Sequence, residues 1–393
     1  MIKLLTSLNH NDHVKLGGCG FMINNSFLSK SITQLLLFIL IIATGMMTAC
    51  AKEESPTENQ QTLLTKVKSA KQDIEKNYLH YNFKKGYKED YQFTFMSPKT
   101  WKVLPDVKAQ YPTNENLKLL AKIVDSQNIQ NANITVWSAL LTHEIHPSDW
   151  LENWLKNQQY QVLNSRTVPA DYGHLGDFLA RKEGHIFRLL VIKDGNRLFL
   201  LKAKANMKIY KQYEESFLLA IQSFQLLNPN KEIYAELFKQ YTTKNPYKIA
   251  LRYPTSWKYR AEKDDLAISS FSLINQKDKV MLGHINTVLA PASLSIKPID
   301  MLQTWIDKMK ANNILAENTI NHAKTKQLKH GKITTWKSKA IRDNASIELN
   351  SSIIEHKKGL LMFSLISPSK TRNHNSWAVN QRAYEILVNT ATY

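Results

Sequence analysis

Short stretches of the chain alternate between apolar and other residues, and this period of two is typical of half-buried β-strands. Residues 91–95 (YQFTF) and residues 247–251 (YKIAL) show the pattern, and a proline follows each run. Because proline cannot donate a backbone hydrogen bond to a strand ladder, each strand is predicted to end there. We expect the indoles just past these prolines to cap one end of a core: Trp101 and Trp257.

A second pattern places apolar residues three and four positions apart and predicts amphipathic helices. It occurs in residues 150–155 and again in residues 301–306. Pro-x-Asp precedes both runs, and Ser148 or Asp149 is expected to be the N-cap of the first helix. A tryptophan lies on the apolar side of each helix: Trp154 and Trp305.

Turn residues divide the sequence after each of these helices into three strand-like runs, within residues 177–204 and residues 332–366. The predicted turns are Glu183-Gly184, Asp194-Gly195, Asp343-Asn344 and Lys358-Gly359. Such runs with short turns predict an antiparallel meander. A helical stretch then closes each half, in residues 210–222 and residues 377–388.

The two sets of elements follow one order: strand, turn, strand, helix, meander, helix. Helices packed on an antiparallel sheet define the α+β class, so the predicted fold is α+β with two similar domains. The alternative is that two unrelated domains share a strand-Pro-x-x-Trp pattern by chance. A final strand at 223–227 has a counterpart at 391–393 that is expected to be shorter or absent.

The chain has 393 residues and two cysteines, which excludes a disulfide scaffold. A short apolar run, LLLFILIIA at 35–43, follows Lys30 and precedes Met-Thr-Ala-Cys ending at Cys50. A basic segment, a short apolar segment and small residues before a cleavage site are typical of a secretory signal. A retained membrane anchor is the alternative, but threonines dilute the segment. We expect translation to start at Met22, with 1–21 as an overrun.

The cleavage site resembles the lipobox of bacterial lipoproteins, in which a small residue precedes the cysteine. This resemblance implies a diacylglyceryl thioether on Cys50 and a fatty acyl group, such as palmitate, on its amino terminus. Residues 51–61 are polar and are predicted to be a flexible tether, which reaches at most about 40 Å when extended. Because Ala51 rather than aspartate follows the cysteine, the resemblance favours the outer membrane of a Gram-negative envelope, on its periplasmic face.

The predicted boundaries, in sequence order, are 1–49 for the signal sequence, 50–61 for the lipidated cysteine and tether, 62–87 for a helical lead-in, 88–228 for the first domain, 229–245 for a linker helix and 246–393 for the second domain. The apolar residues Ile233, Leu237 and Tyr241 would share one side of the predicted linker helix.

The motif Tyr-x-apolar-x-apolar-x-x-Pro-x-x-Trp-Lys, together with a later helix and a C-terminal helix that leads into a Ser-Phe strand, resembles the PsbP/Mog1-like fold. The resemblance covers residues 91–227 and 247–393. It implies a tandem of two such domains, used for binding and assembly rather than catalysis. Some envelope proteins with this fold are accessory proteins of type VI secretion, so the resemblance implies that setting as an extension.

His143-Glu144-Ile145-His146 is the best metal candidate in the sequence. Zincins need histidines four positions apart on a helix, whereas His143 and His146 are three apart and proline follows at once. Surface histidines that lead into a helix are therefore the favoured interpretation. Nucleophile elbows and phosphate loops are missing from the sequence, so no enzyme activity and no cofactor are expected. A hydrolase or metal-dependent enzyme assembled from dispersed residues remains the alternative.

The charge is strongly basic, with a formal net charge of +19. Residues 231–393 contain 25 basic and 13 acidic residues, which gives +12 for the second half. The densest run consists of Lys324, Lys326, Lys329, Lys332, Lys337 and Lys339. An exported protein rarely meets nucleic acid, so the predicted partner is an envelope protein, with anionic lipids or glycans as the alternative. A merely soluble, lysine-rich surface explains the charge equally well.

Overall fold

Two large antiparallel sheets, one in each half of the chain, organise the structure. The computed structural model describes residues 67, 69–127, 129–170, 173–244, 246–262, 268–316, 323–328 and 331–392. All of them belong to one unit, Glu58–Tyr393, so the two halves pack against each other. We call residues 69–228 the first half, residues 229–237 the connecting segment and residues 238–392 the second half.

The first half contains helices and strands in alternation with short turns. Its helices are α1 (Lys71–Asn77), α2 (Pro147–Asn157) and α3 (Tyr210–Gln222). Its strands are β1 (Tyr78–Phe83), β2 (Phe93–Pro98), β3 (Trp101–Val103), β4 (Lys118–Asp125), β5 (Ala132–Leu140), β6 (Gln161–Ala170), β7 (Gly173–Lys182), β8 (His185–Asp194), β9 (Arg197–Asn206) and β10 (Gln225–Leu226).

The second half follows the same order of elements from its first paired strands onward. Its helices are α4 (Pro298–Ala311) and α5 (His374–Thr390). Its strands are β11 (Phe238–Thr242), β12 (Ala250–Pro254), β13 (Lys258–Ala261), β14 (Ser269–Lys277), β15 (Val280–Pro291), β16 (Leu315–Ala316), β17 (Lys324–Leu328), β18 (Gly331–Arg342), β19 (Ala345–His356) and β20 (Gly359–Pro368).

Strand order is the same in the two large sheets. The first sheet runs β3-β4-β5-β9-β8-β7-β6, and the second runs β13-β14-β15-β20-β19-β18-β16, with β17 also pairing β18. A small sheet accompanies each one: β1-β2-β10 in the first half and β11-β12 in the second. The last strand of the second half, expected to be short or absent, is a single bridge between Ala250 and Thr392. The described architecture is α+β, with antiparallel sheets and a few helices.

A helix packs on each face of each large sheet. The central strands are therefore buried on both faces, which explains why they are apolar on both sides. In β8, Leu190 packs in the core beneath α3, whereas Leu189 packs in the core beneath α2. In the second half, Phe363 lies beneath α5 and Met362 lies beneath α4. Adjacent residues of a strand point to opposite faces, so both must be apolar when both faces are covered.

Tight turns set the register of the meanders. Glu183 and Gly184 have φ of 49° and 72°, and Asp343 and Asn344 have φ of 49° and 60°. Positive φ at both central residues matches the right-handed twist of the flanking strands, and Gly and Asn tolerate it best. The predicted three-strand runs therefore correspond to β7–β9 and β18–β20.

The four tryptophans singled out in the sequence differ in burial. Trp101 packs edge-on against Phe217 of α3, and Trp257 is 1% exposed in the core beneath α5. Trp305 is also buried, on α4. Trp154 is half-buried and lies parallel to Trp150, with ring centroids 6.4 Å apart.

The predicted linker helix is wrong. The connecting segment is irregular, and residues 238–242 form β11, which pairs with β12. Ile233 and Leu237 are 58% and 77% exposed, so they do not form a buried helical side. Side chains of the first half hydrogen-bond to the backbone here, since Lys193 Nζ donates to the Ile233 carbonyl at 2.9 Å. These bonds replace the hydrogen bonds within a helix.

The predicted helical lead-in at 62–87 is correct only in part. Helix α1 ends at Asn77, and Tyr78–Phe83 forms β1, paired antiparallel with β2. Aromatic residues are common in this stretch and favour a strand where a partner strand is available. Residues 62–66 lie outside the described residues. The helix before β6 also begins earlier than expected, since Pro147 is its first residue and Asp149 lies in its first turn.

Trp257→Ala is expected to lower the free energy of unfolding by about 3–5 kcal/mol, because it leaves a cavity in the core beneath α5. Trp154→Ala is the matched control and is expected to cost clearly less, because its indole is only half-buried. Urea unfolding followed by circular dichroism measures both. Equal losses for the two variants would contradict the assignment of Trp257 to a core.

Candidate functional site

The lipidation candidate lies outside the part of the chain that the structure describes. Cys50 and the tether at 51–61 both precede the first described residue, so the predicted anchor stays a prediction. Within the described residues, no helix is both long and apolar enough to cross a membrane.

The histidine pair does not assemble a metal site among the described residues. His143 Nδ1 lies 2.7 Å from Thr142 Oγ1, and His146 Nδ1 lies 2.8 Å from Ser148 Oγ. Each imidazole therefore has a neighbouring hydroxyl as a partner. His146 immediately precedes α2, as expected for a histidine that leads into a helix.

Four of the six predicted lysines lie on one face at the edge of the second sheet. Strand β18 alternates, so Trp336 and Ala340 are buried beneath α4 while Lys337 and Lys339 lie on the opposite face. Residues directly opposite each other in an antiparallel pair share a face. Lys324 pairs with Thr335 and Lys326 with Ile333, which places both with Lys337 and Lys339.

We call this set of four exposed lysines the lysine strip: Lys324, Lys326, Lys337 and Lys339. It lies on the same side of the sheet as α5, because Ile333 on that face packs in the core beneath α5. Among the described residues, no carboxylate is within ion-pair distance of any member. Glu348 lies opposite Lys339, but its Oε2 accepts a hydrogen bond from Trp377 Nε1 at 2.7 Å.

The remaining two predicted lysines do not join the strip. Lys332 points to the other face of β18 and pairs with Glu355, with Nζ and Oε1 3.1 Å apart. Lys329 lies outside the described residues. The run of lysines in the sequence is thus divided by strand geometry into two faces.

A buried carboxylate joins the two halves. Glu144 is 1% exposed, and Lys193 Nζ donates to its two oxygens at 2.6 and 2.7 Å. Arg382, on α5 of the second half, donates from Nε to Oε1 at 3.1 Å. The Ala235 amide, in the connecting segment, donates to Oε2 at 2.7 Å. One side chain therefore binds the first half, the connecting segment and the second half together.

The connecting segment supplies a second carboxylate to the same junction. Glu236 accepts the Glu144 amide at Oε1, 2.9 Å away, and the Ser256 amide at Oε2, 3.1 Å away. Glu144 belongs to the first half and Ser256 to the second. Burial lowers the pKa of the Lys193 ammonium, whereas its ion pair with Glu144 acts in the opposite direction.

A third group at the junction consists of possible metal ligands. Asp149 and Glu152 of α2 and His374 of α5 each offer one ligand atom, and these atoms lie within 4.8 Å of one another. Lys370 Nζ is 2.7 Å from Glu152 Oε2. Burial raises the pKa of the Asp149 carboxyl and lowers the pKa of the His374 imidazole.

The sequence does not predict this junction. Glu144 lies among polar residues, since Thr142 and His143 precede it and His146 follows Ile145, so the local sequence does not indicate that it is buried. Its partners could not have been found from spacing, because Arg382 is 238 positions away. In the second half Ser295 occupies the matching position, so the carboxylate is not repeated there.

No family profile and no curated protein matches the chain. Solved structures do. A cyanobacterial PsbP from Synechocystis sp. is similar over 38% of this chain and 92% of its own, with 13% identity and a TM-score of 0.30. The type VI immunity protein TplEi of Pseudomonas aeruginosa is similar over 75% of this chain and 97% of its own, with 6% identity and a TM-score of 0.22. The Tle4–Tli4 complex is similar over 72% of this chain, with 7% identity and a TM-score of 0.20.

Glu144→Gln is expected to lower the free energy of unfolding by about 3–5 kcal/mol, because it leaves the buried Lys193 ammonium without a counter-charge. Glu183→Gln is the control. Glu183 pairs with Lys182 at the surface, so its loss is expected to cost less than about 1 kcal/mol. Urea unfolding measures both. A Glu144→Gln variant as stable as the control would contradict the role of this carboxylate.

Proposed function

We propose that this protein is a non-enzymatic, lipid-anchored lipoprotein of the bacterial envelope that binds an acidic protein partner through the lysine strip. The observation that carries the proposal is the register of β17 and β18. It gathers Lys324, Lys326, Lys337 and Lys339 on one exposed face without a carboxylate in ion-pair distance among the described residues.

The position of the strip favours a side-chain contact over strand addition. β17 pairs with β18 and lies at the border of the sheet, and all five of its residues are exposed. Lysines on an edge strand discourage further strands from pairing, because their charge would have to be desolvated. An acidic surface can instead dock on the four ammonium groups, and their field would speed its association.

The tandem of PsbP/Mog1-like domains is part of the same proposal. The shared strand order of the two large sheets and the matching helices support a duplication. After duplication the two copies would have diverged in charge, since the second half carries most of the basic excess. On this view the first half supports the second through the junction, and the second makes the contact. A role in an envelope machine such as type VI secretion is an extension of the proposal.

The anchor would set where the contact is made. A lipid on Cys50 and the tether at 51–61 would hold both halves near the periplasmic face of a membrane, with the outer membrane favoured. The closeness of a membrane makes anionic lipid an alternative ligand for the lysine strip, and anionic glycan is another. Both alternatives become outcomes of the binding experiment.

Reversing the charge of all four lysines in the strip is expected to weaken partner binding at least about tenfold. The substitutions are Lys324→Glu, Lys326→Glu, Lys337→Glu and Lys339→Glu. Matched charge reversal at exposed lysines of the first half, Lys84, Lys85, Lys102 and Lys108, is expected to leave binding unchanged. The tagged protein is used to recover partners from its own membranes, and the affinity of the recovered protein is then measured at two salt concentrations.

Equal recovery by the strip variant and its control would overturn the proposal. If the wild type recovers no protein, and the strip variant alone loses binding to vesicles containing anionic lipid, the strip would be assigned to lipid instead. Loss of binding to purified anionic glycan alone would assign it to glycan.

Cys50→Ala is expected to release the protein from membranes into the soluble fraction, because no acyl chain can be attached. Ser55→Ala is the matched control, since it changes the tether close to the cysteine and leaves the cysteine itself in place. Membrane fractionation and mass spectrometry of the mature amino terminus measure the result. Unchanged membrane association of Cys50→Ala would refute the lipid anchor.

A further inference from the structure

We propose that Asp149, Glu152 and His374 form a divalent transition-metal site, of the zinc class, that joins helix α2 of the first half to helix α5 of the second. The three side chains come from both halves, so the site exists only where the halves meet. It is independent of the lysine strip and of the partner proposed above.

The geometry of the two helices brings the ligands together. Asp149 and Glu152 are three positions apart in the first turns of α2, which places both carboxylates on one side of the helix. His374 is the first residue of α5. Ligand atoms at about 2.0 Å around a tetrahedral metal are about 3.3 Å apart, so atoms already within 4.8 Å need only side-chain rotation to close on an ion.

His374 supplies the second observation. Its side chain is 6% exposed, and its Nε2 is buried without a hydrogen-bond partner. Burying a polar nitrogen without a hydrogen-bond partner lowers the stability of the fold. A metal ion bound to this nitrogen would offset that cost. The imidazole packs edge-on against Trp377, with centroids 5.8 Å apart, so the ring is held in place by the helix that carries it.

The choice of donors indicates the class of metal. One imidazole nitrogen and two carboxylate oxygens suit zinc and its neighbours Co²⁺ and Ni²⁺, and three protein ligands leave a fourth position for water. Calcium and magnesium prefer more oxygen ligands and are expected to bind more weakly. Bound here, the ion would act as a clamp between the halves beside the Glu144–Arg382 pair.

The Lys370 ammonium would compete with a metal ion for the Glu152 carboxylate. Its Nζ is 2.7 Å from Glu152 Oε2, and it also lies 5.0 Å from the centroid of the Trp377 ring. The ammonium can therefore leave Glu152 and still rest over the aromatic ring, a favourable position for a cation. Metal binding would displace the ammonium from the carboxylate. Removing this charge should then strengthen metal binding.

The test uses the detergent-solubilised full chain, freed of metal with a chelator. Zn²⁺ is titrated calorimetrically, and Co²⁺ is followed by its visible absorption, whose intensity reports tetrahedral coordination. Wild type is expected to bind one ion per chain, with a melting temperature that rises with metal concentration. His374→Ala and Asp149→Asn are expected to bind at least about thirtyfold more weakly, and Lys370→Met at least about tenfold more tightly.

His80→Ala is the control, because His80 is exposed on β1, far in sequence from the three ligands, and should bind as wild type does. Asp149→Asn keeps the size of the side chain, so it tests the site even if His374→Ala fails to fold. Failure of wild type to bind Zn²⁺ at micromolar concentration would overturn the proposal. Binding that persists unchanged in Asp149→Asn and His374→Ala would do the same.

Discussion

The buried Glu144 carboxylate is the interaction on which the arrangement of the two halves depends. A charged group inside a protein is tolerated only when opposite charge and hydrogen bonds surround it. Lys193, Arg382 and the Ala235 amide provide both, and each belongs to a different part of the chain. Any sliding of one half against the other would leave this charge unsatisfied. The ion pair therefore fixes the relative position of the two halves, in addition to the apolar contacts between them.

Helix α5 shows how the apolar part of the junction complements this charge. Tyr384 and Leu387 pack on the sheet of their own half, while Ala378 and Val379 complete the core beneath α2 in the first half. A single helix thus fills two cores with two of its faces. Arg382 lies between these positions and reaches Glu144. Hydrophobic burial supplies the area of contact, and the ion pair defines the register.

Local physics explains which elements could be predicted. The hairpins at Glu183-Gly184 and Asp343-Asn344 were predictable because turn residues and alternation are properties of neighbouring positions. The linker helix failed because its backbone is bonded by Lys193 and Glu144, 40 and 91 positions away. The lysine strip was likewise predictable only in part. Alternation along β18 predicts that Lys337 and Lys339 share a face and that Lys332 lies on the other, but only the pairing of β17 with β18 adds Lys324 and Lys326.

The shared helix also has a consequence for the order in which the protein can mature. α5 follows every strand of both large sheets in the sequence. The core beneath α2 includes Ala378 and Val379, so it stays incomplete until the last of these strands has been synthesised and α5 follows. During that interval the part of this core that Ala378 and Val379 occupy is missing. The first half therefore cannot complete its own core before the second half has been made.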